Sequence, residues 1–182
     1  VVHQMLKRGV NAPLTSSAGR LFDAAASIIG LRQRNTFEGQ AALELEFALA
    51  GEQSEQTYRC DLIETTLDAT ETIVPPAQKR YARVTVDWAT MIRGMLVDVS
   101  KRLPRSLISK KFHNALVGAI VEVAKRAGLE RVVLSGGCFQ NRFLSERAVV
   151  QLRKAGFHPY WHQRVPPNDG GISLGQVYVA QL

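Results

Sequence analysis

The residues best suited to chemistry lie in glycine-rich turns. The first is Leu134-Ser135-Gly136-Gly137-Cys138-Phe139-Gln140-Asn141. A short apolar run ends in Ser-Gly-Gly, and helical spacing resumes a few residues later. Such a turn aims backbone N–H groups at whatever lies above it, and the helix start adds positive potential. Gly136 and Gly137 let the backbone approach a phosphate or nucleoside closely, and Asn141 can bond a base, a ribose or a phosphate. The pattern is neither the Walker A loop nor the GxGxxG fingerprint. A tight turn that needs positive φ is the competing explanation.

Val165-Pro166-Pro167-Asn168-Asp169-Gly170-Gly171-Ile172 is a second strand-to-helix turn. Parallel strands bring such turns to one sheet edge, where α/β proteins bind ligands. Asp169 is placed to face the same cleft as Asn141. A carboxylate beside phosphates holds a divalent metal; alternatively it caps the helix that follows. Thr15-Ser16-Ser17-Ala18-Gly19-Arg20 offers three hydroxyls ahead of a helix. They either cap it or donate to a ribose, and plain capping is favoured locally. Phe37-Glu38-Gly39-Gln40 opens the next helix in the same manner, with Gly39 permitting close ligand approach.

The histidines and cysteines are weighed the same way. His113 is read at the start of a strong helix, either facing a cleft and assisting group transfer or, preferably, as an ordinary polar first-turn residue. His162 ends a strand and reads as structural rather than as a ligand. His3 and His158 have no evident partner. Cys138 follows the glycine turn, where helix proximity can lower a thiol pKa; a small residue in a tight loop is favoured. Cys60 reads as a strand residue.

The elements that position these residues follow from periodicity and punctuation. Val1–Arg8 reads as the end of a helix. Helices are expected at Ala18–Leu31 and Glu38–Ala50, then strands at Thr57–Ile63 and Tyr81–Val86 around a turn-rich Glu64–Lys79. Asp87 is expected to cap a helix reaching about Leu103, and Pro104 to interrupt. Ser109–Ala127 is the most regular helix. The texture then becomes α/β: a buried parallel strand Arg131–Leu134, helix Asn141–Ala155, strand Phe157–Trp161 and a last helix Ile172–Ala180.

The bulk properties bound the rest. At 182 residues, 46% hydrophobic and 21% charged, the chain suits one soluble domain. Its apolar runs are too short for a membrane span. Two cysteines make neither a disulfide framework nor a zinc set, and a cytoplasmic location is the simplest. The net charge is +7. The densest basic run, Lys101-Arg102…Arg105…Lys110-Lys111, has only Phe112 beside it, and reads as a solvated helix end or docking face rather than a nucleic-acid site. The first residues, Val1-Val2-His3-Gln4, carry no signal-peptide pattern, and the chain is expected to begin inside a longer sequence.

Four segments in order, TSSAGRLFDA, FEGQAALELE, LSGGCFQNRFL and RVPPNDGGISLGQ, closely resemble the C-terminal part of the hydrogenase-maturation carbamoyltransferase (HypF) family. They resemble more loosely the tRNA threonylcarbamoyladenosine transferases of the ASKHA superfamily. The resemblance spans essentially the whole chain and is least distinctive around Glu52–Lys79. It implies an α/β, actin-like (ribonuclease H-like) C-terminal lobe with a parallel or mixed sheet flanked by helices. Residues 1–182 would be that single lobe, the C-terminal half of a Kae1-like domain. The first lobe, the acylphosphatase-like and zinc-finger parts and the YrdC-related adenylate-forming domain lie outside it.

The implied activity takes carbamoyl phosphate and ATP, forms carbamoyl-adenylate and passes the carbamoyl group to the C-terminal cysteine of HypE. That group becomes the cyanide ligand of nickel–iron hydrogenase. By motif, Gly136, Gly137 and Asn141 match nucleotide-binding positions, and Gly39 matches a glycine near the nucleoside. Ser16 lies at, or one residue from, a ribose-binding aspartate of the tRNA enzymes, a departure that puts that role in question. Glu44 is a weaker nucleoside candidate. Asp169 matches a ligand of a divalent metal, magnesium or iron, whose partner histidines belong to the first lobe. Zinc belongs only to the absent parts. The implied partners are HypE and the remaining HypF domains, with no membrane and no nucleic acid. The isolated chain is expected to bind nucleotide weakly without turnover. The rival readings are a tRNA- or O-carbamoyltransferase relative, and a non-catalytic docking module.

Overall fold

The 23-residue helix α5, Arg105–Ala127, is the spine of the molecule. The computed structural model describes residues 1–13, 15–65 and 83–181. Pro104 precedes α5 instead of interrupting a helix, because a proline at a helix start forfeits an N–H that would have no partner anyway. The helix therefore begins four residues before the expected Ser109. Gly128 closes it at φ 65°, its N–H bonded to the Ala124 carbonyl.

Three shorter helices lean on this spine: α2 (Ala18–Ile28), α3 (Gln40–Phe47) and α4 (Ala89–Ser100). Ile108, Phe112, Ala115 and Leu116 of α5 recur at helical spacing and meet Phe22, Ala25 and Ala26 of α2, Ala41 and Leu45 of α3, and Met91 and Met95 of α4. Phe22 and Phe112 pack edge to face at 5.1 Å between ring centroids. Full burial of each large side chain contributes roughly 1.5–3 kcal/mol, so this cluster holds the helical half together. A short helix α1, Val2–Arg8, buries none of its residues.

The expected strands appear with shifted ends. β1 (Asp61–Thr65) pairs antiparallel with β2 (Arg83–Asp87), Leu62 opposite Val86. Thr57–Cys60 lies outside the paired strand. It is held by Tyr58, whose ring occupies the space that a Cβ on Gly94 would fill, 2.8 Å away. The Tyr58 hydroxyl donates to Asp98 at 2.7 Å, and Lys111 completes the buried pair. Asp87 ends β2, and its carboxylate accepts from the Ala89 N–H at the head of α4. Residues 66–82, covering the turn-rich stretch after Thr65 and the start of the second expected strand, lie outside the described residues.

β3 (Arg131–Leu134) and β4 (His158–Trp161) form a parallel pair joined through α6, Arg142–Lys154. Leu134, Ala148, Val149, Leu152 and Ala124 make a second, smaller core beneath it. Burial of β3 on both faces, as the sequence suggested, is not observed: Leu134 is 3% exposed but Val133 is 71% exposed. Helices cover one face of the pair, and the other is open. The last helix, α7 (Ile172–Val179), also buries no residue, leaving Ile172, Leu174, Val177, Tyr178 and Val179 exposed. Among the described residues no helix is long and apolar enough to cross a membrane.

Candidate functional site

The carboxyl ends of β3 and β4 fix the edge where the glycine turn sits. Beyond Leu134 the chain enters Gly136 at φ 107°, ψ 159°, a region open essentially to glycine alone. The Gly136 N–H donates to the Pro167 carbonyl at 2.8 Å, fastening the glycine turn to the acidic loop. A Cβ on Gly137 would lie 4.0 Å from that of Asn168, so the two turns touch without crowding. A 3-10 turn, Gly137–Gln140, then leads into α6.

Asp169 is exposed and opens a second 3-10 turn, Asp169–Gly171. Capping there falls to Asn168, whose side chain accepts from the Gly170 N–H at 3.1 Å. The Asp169 carboxylate has no hydrogen bond or ion pair among the described residues, so the capping alternative does not hold. Asp169 is a hard oxygen donor suited to magnesium or iron, but an ion of the magnesium kind takes roughly six donors. Among the described residues no three His, Cys, Asp or Glu side chains cluster to hold a metal.

Asn141 lies inward of this edge, 8% exposed. Its Oδ1 accepts from the Leu144 N–H at 2.8 Å and caps α6. Its Nδ2 donates to His113 Nε2 at 2.9 Å. The His113 Nδ1–H donates to the Ser109 carbonyl at 2.8 Å, which assigns the neutral tautomer from the network. His113 is fully buried in the third turn of α5, edge-on to the rings of Phe22, Phe112 and Phe143. Burial lowers its pKa to about 4. It is neither a first-turn residue nor a cleft residue. It bolts α5 to the capped start of α6 and so positions the glycine turn indirectly.

The serine turn and Gly39 meet in a separate hollow of about 740 Å³, lined by Ser17, Arg20 and the turn Asn35–Gly39. Ser17 caps α2, its Oγ accepting from the Arg20 N–H at 3.4 Å. Ser16 is exposed and does not line the hollow. Gly39 starts α3 at φ 79°, with open space where a Cβ would stand. α2 also packs against the 3-10 turn at Gly137–Gln140, so one helix touches both places. Glu44 faces neither. Arg32 grips its carboxylate through Nε, at 3.0 Å, and through its terminal nitrogen, and Gln40 adds a third bond. The Arg32 hydrogen bond outweighs desolvation and holds the Glu44 carboxyl below its ordinary pKa. Glu44 thus latches the 31–40 turn onto α3.

Both cysteines are free. Burial raises the pKa of the half-buried Cys138, which is the reverse of helix activation. Burial, then Asp61 and Asp87, push Cys60 to about 11. Cys60 precedes β1 and borders another hollow of about 680 Å³ between Glu55–Leu62 and the outer faces of α5 and α6. The arginines there pair with acidic side chains, Arg59 with Asp61, Arg126 with Glu64 and Arg147 with Glu55, leaving no uncompensated cation for a phosphate. The glycine edge, by contrast, ties two turns together at the strand ends and leaves Asp169 exposed beside them. Sequence reasoning gave no role to Ser135, which meets His162 on that edge at 3.2 Å. The available signal was their position, one residue past each parallel strand.

Fold and edge together define an α/β unit that brings two glycine-rich turns to the carboxyl ends of parallel strands, the edge at which such folds bind ligands. The family profile described as "Carbamoyltransferase, Kae1-like Domain, second subdomain" matches residues 1–176, and the chain belongs to that family. It is 40% identical over 176 residues to the carbamoyltransferase HypF of Synechocystis, covering 97% of this chain and 21% of the relative. It is 34% identical over 195 residues to HypF2 of Cupriavidus necator, covering 99% of this chain and 24% of that one. The chain thus spans about a fifth of the length of these relatives. A crystal structure of full-length HypF in a phosphate- and nucleotide-bound form superposes with a TM-score of 0.81 at 39% identity, covering 97% of this chain and 22% of the other. HypF of T. kodakarensis, at 21% identity and a TM-score of 0.72, shares the fold.

Proposed function

We propose that this chain is a single lobe that forms one wall of the nucleotide cleft in a carbamoyltransferase. The enzyme takes carbamoyl phosphate and ATP through carbamoyl-adenylate and carbamoylates the C-terminal cysteine of HypE, the group destined for the cyanide ligand of nickel–iron hydrogenase. The observation that carries this reading is the glycine edge, where Gly136 is tied to Pro167 and Asp169 is exposed with no partner among the described residues. On this reading the Gly136-Gly137 backbone receives phosphate, Asp169 supplies one oxygen donor to a divalent ion, and the Ser17–Gly39 hollow receives the nucleoside. A bound divalent ion supplies charge stabilisation at the phosphates. Asn141 supports the turn from behind. Transition-state contacts come from both walls of a cleft, so the isolated chain binds weakly and does not turn over. Free cysteines support a reducing, cytoplasmic setting.

Titration with ATP–magnesium and with a non-hydrolysable carbamoyl-adenylate analogue tests the reading. Gly137→Val fills the approach while its Cβ stays in ordinary contact range of Asn168; it and Asp169→Asn weaken binding. Equal binding by both variants and the unmodified chain sinks the site. The open face of β3–β4 and the uncovered apolar α7 favour a second role, docking against the remaining domains.

A further inference from the structure

The parallel register sets Leu134 beside Trp161. The next residues, Ser135 and His162, therefore leave the sheet side by side, and Ser135 Oγ lies 3.2 Å from His162 Nε2. Both are exposed. One residue further on, Gly136 fastens to the loop that leads to Asp169. The other histidines are excluded by position. His113 is sealed, with both ring nitrogens engaged. His3 lies on α1, and His158 opens β4 at the opposite end of the strand pair. His162 is thus the imidazole at the carboxyl edge.

Transfer of a carbamoyl group from its adenylate to a thiol has a defined balance. A carbon–sulfur bond forms, the carbon–oxygen bond to phosphate breaks, AMP leaves with that electron pair, and the thiol gives up a proton. The thiolate is the nucleophile, and a positioned base contributes about 10²–10⁴-fold to such a step.

We propose, resting on the functional reading above, that His162 accepts the thiol proton in carbamoyl transfer and that Ser135 positions it. In this role Nε2–H donates to Ser135 Oγ, and the hydrogen bond at one ring nitrogen leaves the other, Nδ1, as the proton acceptor. The imidazolium releases the proton to solvent as AMP departs. Charged and titratable groups on the surrounding elements are Arg164 and Asp169 on the loop, Cys138 in the 3-10 turn, and Arg153 of α6, which lies over the Trp161 ring at 5.3 Å.

The test uses the full-length enzyme carrying this chain and an acceptor protein with a C-terminal cysteine. Adenylate formation is read as pyrophosphate release, and transfer as a single turnover. His162→Ala is expected to slow transfer about a hundredfold or more while pyrophosphate release is unchanged. Added imidazole restores transfer, and the acidic limb of the transfer pH profile disappears. Ser135→Ala gives a smaller loss and a displaced limb. Transfer by His162→Ala at the unmodified rate overturns the proposal, as does a loss that imidazole does not restore and that leaves the pH profile unmoved. His162→Gln, which keeps a polar side chain of similar size, must show the same defect; normal transfer by it also overturns the proposal. An unmodified enzyme that forms adenylate but does not carbamoylate the acceptor overturns the functional reading, and the proposal with it.

Discussion

Two regions flank the glycine turn and use similar residues in opposite ways. Inside, Ser109, His113 and Asn141 form a closed set in which the histidine nitrogens and the asparagine oxygen are all engaged. Outside, Ser135, His162 and Asp169 stand in solvent, and the aspartate has no partner among the described residues. The contrast shows that residue type does not assign a role. Burial commits a polar group to structure, because an unpaired buried group costs about 1–3 kcal/mol. Exposure at a sheet edge leaves a group available to a ligand.

The comparison makes graded predictions. The largest effect belongs to His113→Ala, which empties a ring-sized space among three phenylalanines and strands the Asn141 amide. A loss of roughly 3–5 kcal/mol is expected, read as a fall in the urea midpoint. A loss under 1 kcal/mol would place the site outside the core. Next comes pH. The folded pKa of His113 is depressed to about 4 from 6.5, so the unfolded chain binds the extra proton first. Its stabilising share is complete above pH 6.5 and is lost as pH falls toward 4, roughly 3 kcal/mol in all. Urea midpoints across that window, with His113→Gln as the flattened reference, measure the slope.

Asn141→Ala removes a helix cap and the His113 partner together, for about 2 kcal/mol. Hydrogen exchange should loosen first at the start of α6; uniform loosening would contradict the capping role. The smallest stability effect belongs to the outer edge. Asp169→Asn should stay within about 0.5 kcal/mol in the melt yet weaken magnesium–nucleotide binding. A large melting shift with unchanged binding would erase the distinction between the two regions.

The regular elements were legible in the sequence wherever local signals acted alone. Gly128 ended α5, Gly39 opened α3, and the short run Arg131–Leu134 made a parallel strand. Boundaries slipped where one residue had two uses. Pro104 reads as a break and is a helix start. Glu44, a weaker nucleoside candidate by motif, has its carboxylate held as a latch by Arg32, twelve positions away, which reaches it only after the 31–40 turn folds back. The turn Ser135–Gly137 and the loop Pro166–Asp169 stood out as ligand-facing, but their hydrogen bond could not be read from spacing.

The sequence by itself determined the family, the order of the elements and the glycine turns, since these rest on local backbone preference and short motifs. Tertiary structure alone decided that His162 faces water and His113 does not. His113 and His162 each stand beside ordinary neighbours in the chain. One is enclosed by α2, α5 and α6, while the other emerges beyond a paired strand end. Burial depends on what packs there from distant parts of the chain, and that is a property of the folded whole.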